Sequence, residues 1–270
     1  LLHWNSRKVC RMAGKNLVLG WLYDISWEAA KAFVVSAKRA NMDADIVILA
    51  WHNESYTWET LRLHGAEVVA VPHDNVRFTI ERSIGRETRD DLTHFISRRY
   101  CYYDWYLQQH PEYERVMLTG IRDVIIQSDP FSYDCGSALC CFLESLLIKE
   151  SAWNRMWVHD GFSQEELERI HWNPVSCAEI VYGPRHRVAE YVGLMLPHIC
   201  GPSLKIRVID QAVHNYLLWN GMLGEVRTFK PGEGPVLTMG YRYNEREHEI
   251  RLNKMRRVLN DDGSIVPVVH

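Results

Sequence analysis

The residues with the clearest chemical potential lie in one segment, residues 116–131, which reads VMLTGIRDVIIQSDPF. It begins as an apolar strand and then turns polar, with Asp123 just past the strand and Asp129 directly before Pro130. In open α/β sheets, ligands bind beyond the carboxyl ends of the strands. An acidic residue there can hold a divalent cation, which in turn can bridge a diphosphate. The pattern therefore indicates either a cation and diphosphate site or acidic residues that only cap turns.

The chain in front of this segment predicts the sheet that positions it. Apolar runs at residues 16–22, 46–50 and 67–71 alternate with helical stretches at residues 26–41 and 55–64. Alternation on this scale is typical of a parallel sheet with helical crossovers. We therefore predict an α/β fold, a mostly parallel twisted sheet with helices on both faces.

The remainder of the chain shows no repeat and no interdomain linker, so we predict one domain over residues 1–270. Further strands are predicted at residues 113–119, 139–144, 178–182, 225–229 and 265–270, and helices at residues 91–110, 164–170, 185–196 and 210–219.

Composition and charge argue against several classes of protein. With 47% hydrophobic residues, 24% charged residues and a net charge of -3, the chain is typical of a soluble globular domain without a basic field for nucleic acid. No window approaches the roughly 18 uninterrupted apolar residues of a membrane span. The 7 cysteines include no Cys-x-x-Cys pair, which argues against a disulfide framework or a structural zinc site. We predict no nucleic-acid partner, no membrane span in this chain and a cytoplasmic location, with the Golgi lumen as the alternative if an upstream anchor has been removed.

Several stretches together resemble the glycosyltransferases of the GT-A fold. The run RDVIIQSDPF after an apolar strand is similar to their acidic metal motif. The other similar stretches follow in the family's order: the aromatic helix that carries Arg99, residues 174–183, residues 210–217 and the closing residues 260–270. The resemblance covers about residues 16–270. It implies a nucleotide-binding half at about residues 16–131 and an acceptor half at about residues 132–270.

The resemblance implies transfer of a sugar from a nucleoside diphosphate sugar, carrying UDP or GDP, to a hydroxyl of a glycan or other acceptor. Together with the positions of the residues, it assigns the donor to Tyr23, Asp24, Arg99, Arg122 and Asp123, and the acceptor to Glu144 and Gly183. It assigns a divalent cation, Mn²⁺ or Mg²⁺, to Asp123 and His270. Asp210 is the catalytic candidate, as general base in an inverting enzyme or as a group that orients the donor sugar in a retaining one.

One position departs from the family's pattern. The family carries a second carboxylate three residues before Asp123, and here that position is Gly120. One carboxylate and one histidine are a poor ligand set for Mn²⁺ or Mg²⁺, even with two diphosphate oxygens and waters. Three outcomes stay open: weak metal binding, replacement of the metal by basic groups, or loss of activity. Gly120 also has a structural explanation, in which its backbone adopts a conformation that an aspartate could not adopt.

Each candidate residue also has a structural interpretation. In these interpretations Asp24 would cap a loop and Asp210 would cap a helix. The stem of Arg99 would pack among aromatic rings, and Glu144 would be solvated at a sheet edge. The run from Lys254 to Arg257 would be a solvated helix face. Trp153, Trp157 and Trp172 either stack on sugars or, like most tryptophans, lie in the core.

Two other functions compete with a glycosyltransferase. A non-catalytic module that binds a sugar or a nucleotide sugar is favoured by the carboxylate missing at Gly120. A sugar nucleotidyltransferase would need a glycine-rich, basic phosphate loop after the first strand, where residues 19–28 read LGWLYDISWE.

Overall fold

The computed structural model describes residues 14–22, 25–50, 55–71, 97–199, 210–239 and 250–270. Its strands are β1 (Lys15–Leu22), β2 (Asp45–Ala50), β3 (Glu67–Ala70), β4 (Tyr113–Thr119), β5 (Ile125–Ile126), β6 (Leu139–Leu147), β7 (Pro174–Pro184), β8 (Val226–Phe229), β9 (Val236–Leu237) and β10 (Val268–Val269). Its α-helices are α1 (Trp27–Ala40), α2 (Ser55–Leu63), α3 (Arg99–Gln109), α4 (Ala152–Gly161), α5 (Gln164–Ile170), α6 (Arg185–Ile199) and α7 (Asp210–Trp219).

Seven strands form the main sheet in the order β3-β2-β1-β4-β7-β6-β8. Neighbours pair in parallel except at β7, which is antiparallel to both β4 and β6. The strand order reverses at β1, which has β2 on one side and β4 on the other, so the carboxyl ends of β1 and β4 flank a topological switch point. A small second sheet has the order β5-β10-β9. The predicted α/β class with a mostly parallel sheet is confirmed.

Helices cover both faces of the main sheet. Along β1, Leu17 and Leu19 belong to one apolar cluster and Val18 belongs to another, as expected for side chains that alternate across a strand. The first cluster contains residues of α3, α6 and α7, and the second contains residues of α1 and α2. The seven buried positions of β1 follow from this double cover, which makes a central parallel strand continuously apolar.

Helix α1 shows how the sequence sets an element and its end. Its buried residues, Trp27, Ala30, Phe33, Val34 and Ala37, recur at the three- and four-residue spacing of one helix face. The helix stops at Asn41, which adopts a left-handed backbone with φ 49° and donates its N–H to the Lys38 carbonyl.

Several predicted elements differ in the structure. The helix predicted at residues 91–110 is α3, Arg99–Gln109, and residues 91–96 lie outside the described residues. The short strand predicted at residues 178–182 is the eleven-residue β7. The strand predicted at residues 265–270 contains only β10, which pairs in the small sheet. The basic run is a tight turn rather than a helix face: the Arg256 N–H donates to the Asn253 carbonyl, and Arg256 has φ 59°.

The cysteine prediction is wrong for one pair. Cys135 and Cys140, five residues apart, form a disulfide at the start of β6. Cys141 and Cys177 are free and buried, and Cys101 is also buried, consistent with small apolar side chains.

The longest described helix is α6, with 15 residues. In the described part of the chain, no helix combines the length and apolarity that crossing a membrane requires.

Two glycines in different settings test this packing. Gly183 lies in β7 opposite Val116, and a Cβ there would be 3.0 Å from the Ala138 carbonyl oxygen. Gly193 is exposed on α6, and a Cβ there would meet no atom within 4 Å.

We expect Gly183→Ala to reduce the free energy of unfolding by roughly 1–3 kcal/mol, because backbone must move to admit the methyl group. Gly193→Ala should instead raise it by about 0.5–1 kcal/mol, because alanine favours a helix interior. Denaturant unfolding of both variants measures the difference. Equal effects of the two changes would contradict the tight contact at Gly183.

Candidate functional site

The segment after β4 reaches the carboxyl edge of the sheet at the topological switch point. Both Arg122 and Asp123 are exposed there, and the Asp123 side chain has 69% of its surface accessible. Tyr23 and Asp24, the predicted contacts at the end of β1, lie outside the described residues. The exposed acid is thus placed where α/β sheets bind ligands.

His270 lies beside Asp123, although the two are far apart in sequence. Their closest atoms, His270 Nε2 and Asp123 Oδ1, are 3.8 Å apart. The backbone of His270 is fixed by β9: its N–H donates to the Leu237 carbonyl, and its carbonyl accepts from the Met239 N–H. On the other side of the ring, Nδ1 is 3.5 Å from Cys177 Sγ. The small sheet therefore positions the His270 imidazole at the carboxyl edge of the main sheet.

This pair fits two ligands of one divalent cation. Ligand atoms each about 2.0–2.2 Å from an ion can be separated by up to about 4.3 Å, so the 3.8 Å between Asp123 and His270 is compatible. Within the described ranges, no cluster of three or more His, Cys, Asp or Glu residues has a metal-binding arrangement. The remaining ligands would have to be diphosphate oxygens and waters.

Arg99 is buried between two carboxylates at the start of α3. Its guanidinium pairs with Asp210 at 2.5 Å and also with Glu179, and its side chain is only 5% exposed. Burial opposes ionisation of Glu179, but Arg99 outweighs it and holds the pKa of Glu179 below its usual range. Burial has the stronger effect on Asp210 and raises its pKa despite the pairing with Arg99. Arg99 is thus engaged inside the protein by carboxylates, and its phosphate contact stays a prediction.

Glu179 fills the space beside Gly120. The antiparallel register of β4 and β7, with Leu118 opposite Val181, places these two residues opposite each other just beyond the end of β4. A Cβ at Gly120 would lie 2.2 Å from Glu179 Oε1. Gly120 is not among the described glycines with positive φ, so the constraint there is the neighbouring side chain rather than the backbone. A carboxylate is present near position 120, but it comes from the next strand.

Glu144 completes the acidic edge on β6. The Gln211 side-chain amide donates to Glu144 Oε1 at 3.4 Å and to Asn154 Oδ1 at 3.0 Å. Burial raises the pKa of Glu144 to about 7, although His270 and the bond from Gln211 both act to lower it. A carboxyl group that titrates near neutral pH suits general acid and base chemistry.

The structure does not bring Gly183 to this group. Gly183 is four residues along β7 from Glu179, about 13 Å at the usual strand rise, and it lies opposite Val116 in the interior of β4. It is buried against the Ala138 carbonyl, which accounts for a glycine there, and its acceptor contact stays a prediction.

Sequence reasoning missed Glu179 and Gln211. A signal for Glu179 was available, because it is a charged residue inside the otherwise apolar run of β7. Gln211 follows Asp210 directly and had no comparable signal, since a polar residue in a first helical turn is ordinary.

A groove of about 550 Å³ lies along α1, away from these carboxylates. Its lining includes Lys31, Arg39, Gln127 and Arg257. It contains none of the residues predicted for donor, acceptor or metal, and we assign it no role in the candidate site.

The comparisons with known proteins identify no family. The chain matches no protein-family model, and no curated protein matches it. The GT-A resemblance therefore stays a prediction made from the sequence.

The contact between Glu179 and Gly120 gives a direct test. We expect Gly120→Asp to destabilise the protein by roughly 1–3 kcal/mol, because its side chain would overlap a carboxylate that Arg99 holds in place. In a Glu179→Gly background the same change should cost much less. Unfolding free energies of the two single variants and the double variant measure this coupling. Additive costs would contradict the contact.

Proposed function

We propose that this chain is a glycosyltransferase of the GT-A kind, which moves a sugar from a nucleoside diphosphate sugar to a hydroxyl of a glycan or other acceptor. The observation that carries the proposal is the approach of Asp123 and His270 to 3.8 Å at the carboxyl edge of β4. Their positions in sequence give no reason for this approach, whereas the resemblance assigns one metal site to both residues.

The charge of this edge supports a requirement for a cation. Among the described residues here, Asp123, Glu144, Glu179 and Asp210 face only two guanidiniums, Arg99 and Arg122. Because Arg99 is neutralised by its carboxylates, the described residues of this edge present a net negative charge to a bare diphosphate. A divalent cation held by Asp123 and His270 would reverse that charge and stabilise the departing nucleoside diphosphate. Of the three outcomes left open by the sequence, replacement of the metal by basic groups is the least compatible with this edge.

Arg122 is the basic group best placed to assist. It is exposed next to Asp123, and no hydrogen bond or ion pair joins it to another described residue. Its guanidinium is therefore available for a bidentate contact with phosphate. Arg99 instead positions Glu179 and the first turn of α7.

Glu144 suits the role of general base better than Asp210. In an inverting reaction the acceptor oxygen bonds to the anomeric carbon, the bond from that carbon to the diphosphate breaks, and the hydroxyl proton passes to the base. Asp210 has a 4% exposed side chain, with one oxygen on Arg99 and the other accepting from the Gln211 N–H. Glu144 is only partly buried, and its pKa of about 7 allows it to accept a proton at neutral pH.

A binding module without transfer is the second candidate. This candidate is favoured by the ion pairs of Arg99, because they engage two of the four carboxylates at this edge, Glu179 and Asp210. Such a module would bind a nucleotide sugar without releasing nucleoside diphosphate.

The disulfide between Cys135 and Cys140 helps to choose between the two cellular compartments predicted for the protein. Disulfides persist in oxidising environments and are rare in the cytosol. The pair formed by Cys135 and Cys140 therefore favours the lumenal alternative over the cytoplasmic one.

Nucleotide binding should depend on the cation. We expect UDP or GDP to raise the melting temperature with Mn²⁺ present and to have little effect after chelation, because ligands that bind only the native state stabilise it. Asp123→Ala and His270→Ala should each remove most of the shift, and the double variant should lose little more, since both side chains hold one ion. Glu150→Ala, an exposed acid at the turn after β6, is the matched control. Absence of a shift with every nucleoside diphosphate would contradict the nucleotide site.

Turnover separates the enzyme from the binding module. We expect at least one nucleotide sugar in a panel to release nucleoside diphosphate, with kcat/KM rising as the pH passes through about 7. Glu144→Gln should lower kcat at least about a hundredfold, the usual scale for loss of a general base, and abolish that rise. Asp210→Asn retains a helix cap and should keep the pH dependence. Loss of the pH dependence in Asp210→Asn instead would make Asp210 the base, and nucleotide binding without release would favour the module.

A further inference from the structure

One large aromatic side chain of α4, Trp153, lies at the surface, and a second, Trp157, is partly buried. Trp153 is 61% exposed, and Met156 on the same side of the helix is 43% exposed. Trp157 is partly buried, with its ring centroid 6.2 Å from that of Trp153 and the two planes inclined by 33°. Residues three and four positions apart are neighbours on a helix surface, so these side chains form one apolar patch. Exposed apolar patches of this kind are informative, whereas single exposed apolar residues are not.

The helix that carries this patch is linked to the candidate site by hydrogen bonds. Helix α4 is capped by Ser151, whose hydroxyl accepts from the Asn154 N–H, and Asn154 is buried. The Asn154 side chain accepts from Gln211, which also donates to Glu144. The first turn of α4, which carries Trp153, is therefore two hydrogen bonds from the carboxylate that we propose as the base.

We propose that Trp153 and Trp157 form a stacking platform for a sugar ring of the acceptor, which makes the acceptor a saccharide rather than another hydroxyl compound. This inference rests on the proposed function for its link to transfer. The apolar C–H face of a pyranose matches an exposed indole face, and the hydroxyls at its rim need polar partners such as Glu144. The structure supplies an exposed indole at Trp153, and a carboxylate at Glu144 that is linked through Gln211 to Asn154, the next residue of the helix.

A protein partner fits the patch less well. Stable protein interfaces bury about 800 Å² on each partner and involve roughly 20–30 residues a side. The patch consists of three side chains, and its neighbours Arg155, His159 and Asp160 are charged or polar and exposed. An area of this size suits one or two sugar rings.

Trp172 provides a matched control within the same chain. It is 64% exposed, which is close to the value for Trp153. Its ring is already covered by Lys149, whose ammonium nitrogen is 3.2 Å from the ring centroid. Removal of this indole changes the exposed aromatic surface to a similar extent without removing an open stacking face.

The test measures binding of four neutral disaccharides, maltose, lactose, mannobiose and xylobiose, by calorimetry at millimolar concentration. We expect at least one to bind, Trp153→Ala to weaken its binding at least about tenfold, and Trp153→Phe to retain most of it because an aromatic face remains. Trp172→Ala should bind as the wild type does. Circular dichroism of Trp153→Ala checks that α4 is intact, as expected for alanine at an exposed helical position.

Three results would overturn the platform: no binding of any of the four disaccharides, equal loss in Trp153→Ala and Trp172→Ala, or a Trp153→Phe variant as weak as Trp153→Ala. The UDP and GDP melting shifts, measured on the same variants, should not change. Nucleotide binding without saccharide binding would therefore remove the platform and leave the proposed function standing. Saccharide binding at Trp153 without any nucleotide shift would remove the transferase and leave a sugar-binding surface.

Discussion

The burial of Arg99 between Glu179 and Asp210 is the constraint on which the rest of the site depends. It joins the first residue of α3, the middle of β7 and the first residue of α7, three elements that are distant in sequence. Removing one partner of a buried ion pair typically costs about 3–5 kcal/mol, because a charge is left without compensation. The guanidinium therefore fixes where α7 begins. That in turn fixes Gln211, and through Gln211 the positions of Glu144 and Asn154.

The same constraint explains why a glycine at position 120 is compatible with an acidic site. Glu179 points along β4 because Arg99 holds one of its oxygens, and the other lies where a side chain at position 120 would begin. The acidic character of the edge is thus shared between two strands. This arrangement leaves Asp123 exposed with His270 beside it, and in the proposed function a divalent cation would bind to this acidic edge.

The fold was largely predictable because local sequence patterns mark most of its helices and strands. Strand β4 and helices α5 and α7 were predicted with the observed bounds, since an apolar run or a cap residue marks each end. The reversed direction of β7 was not predictable, because an apolar run carries no information about its partner strands. For the same reason the sequence could not place Glu179 opposite Gly120.

The site was only partly predictable. The proximity of Asp123 and His270 required the family resemblance, since no local pattern joins them. Arg99 was predicted to contact phosphate, whereas its burial and its pairing with two carboxylates depend on tertiary structure and were not predictable. Gly183 was selected because residues 174–183 resemble a stretch of the family, and the close approach of Ala138 accounts for a glycine there.

A crystal structure with UDP or GDP and Mn²⁺, with anomalous scattering from the manganese, tests the central claim most directly. The account predicts one manganese peak between Asp123 Oδ1 and His270 Nε2, the diphosphate on that ion beyond the carboxyl end of β4, and Arg99 still paired with Glu179 and Asp210. A nucleotide bound elsewhere, or a manganese ion that contacts neither Asp123 nor His270, would contradict it.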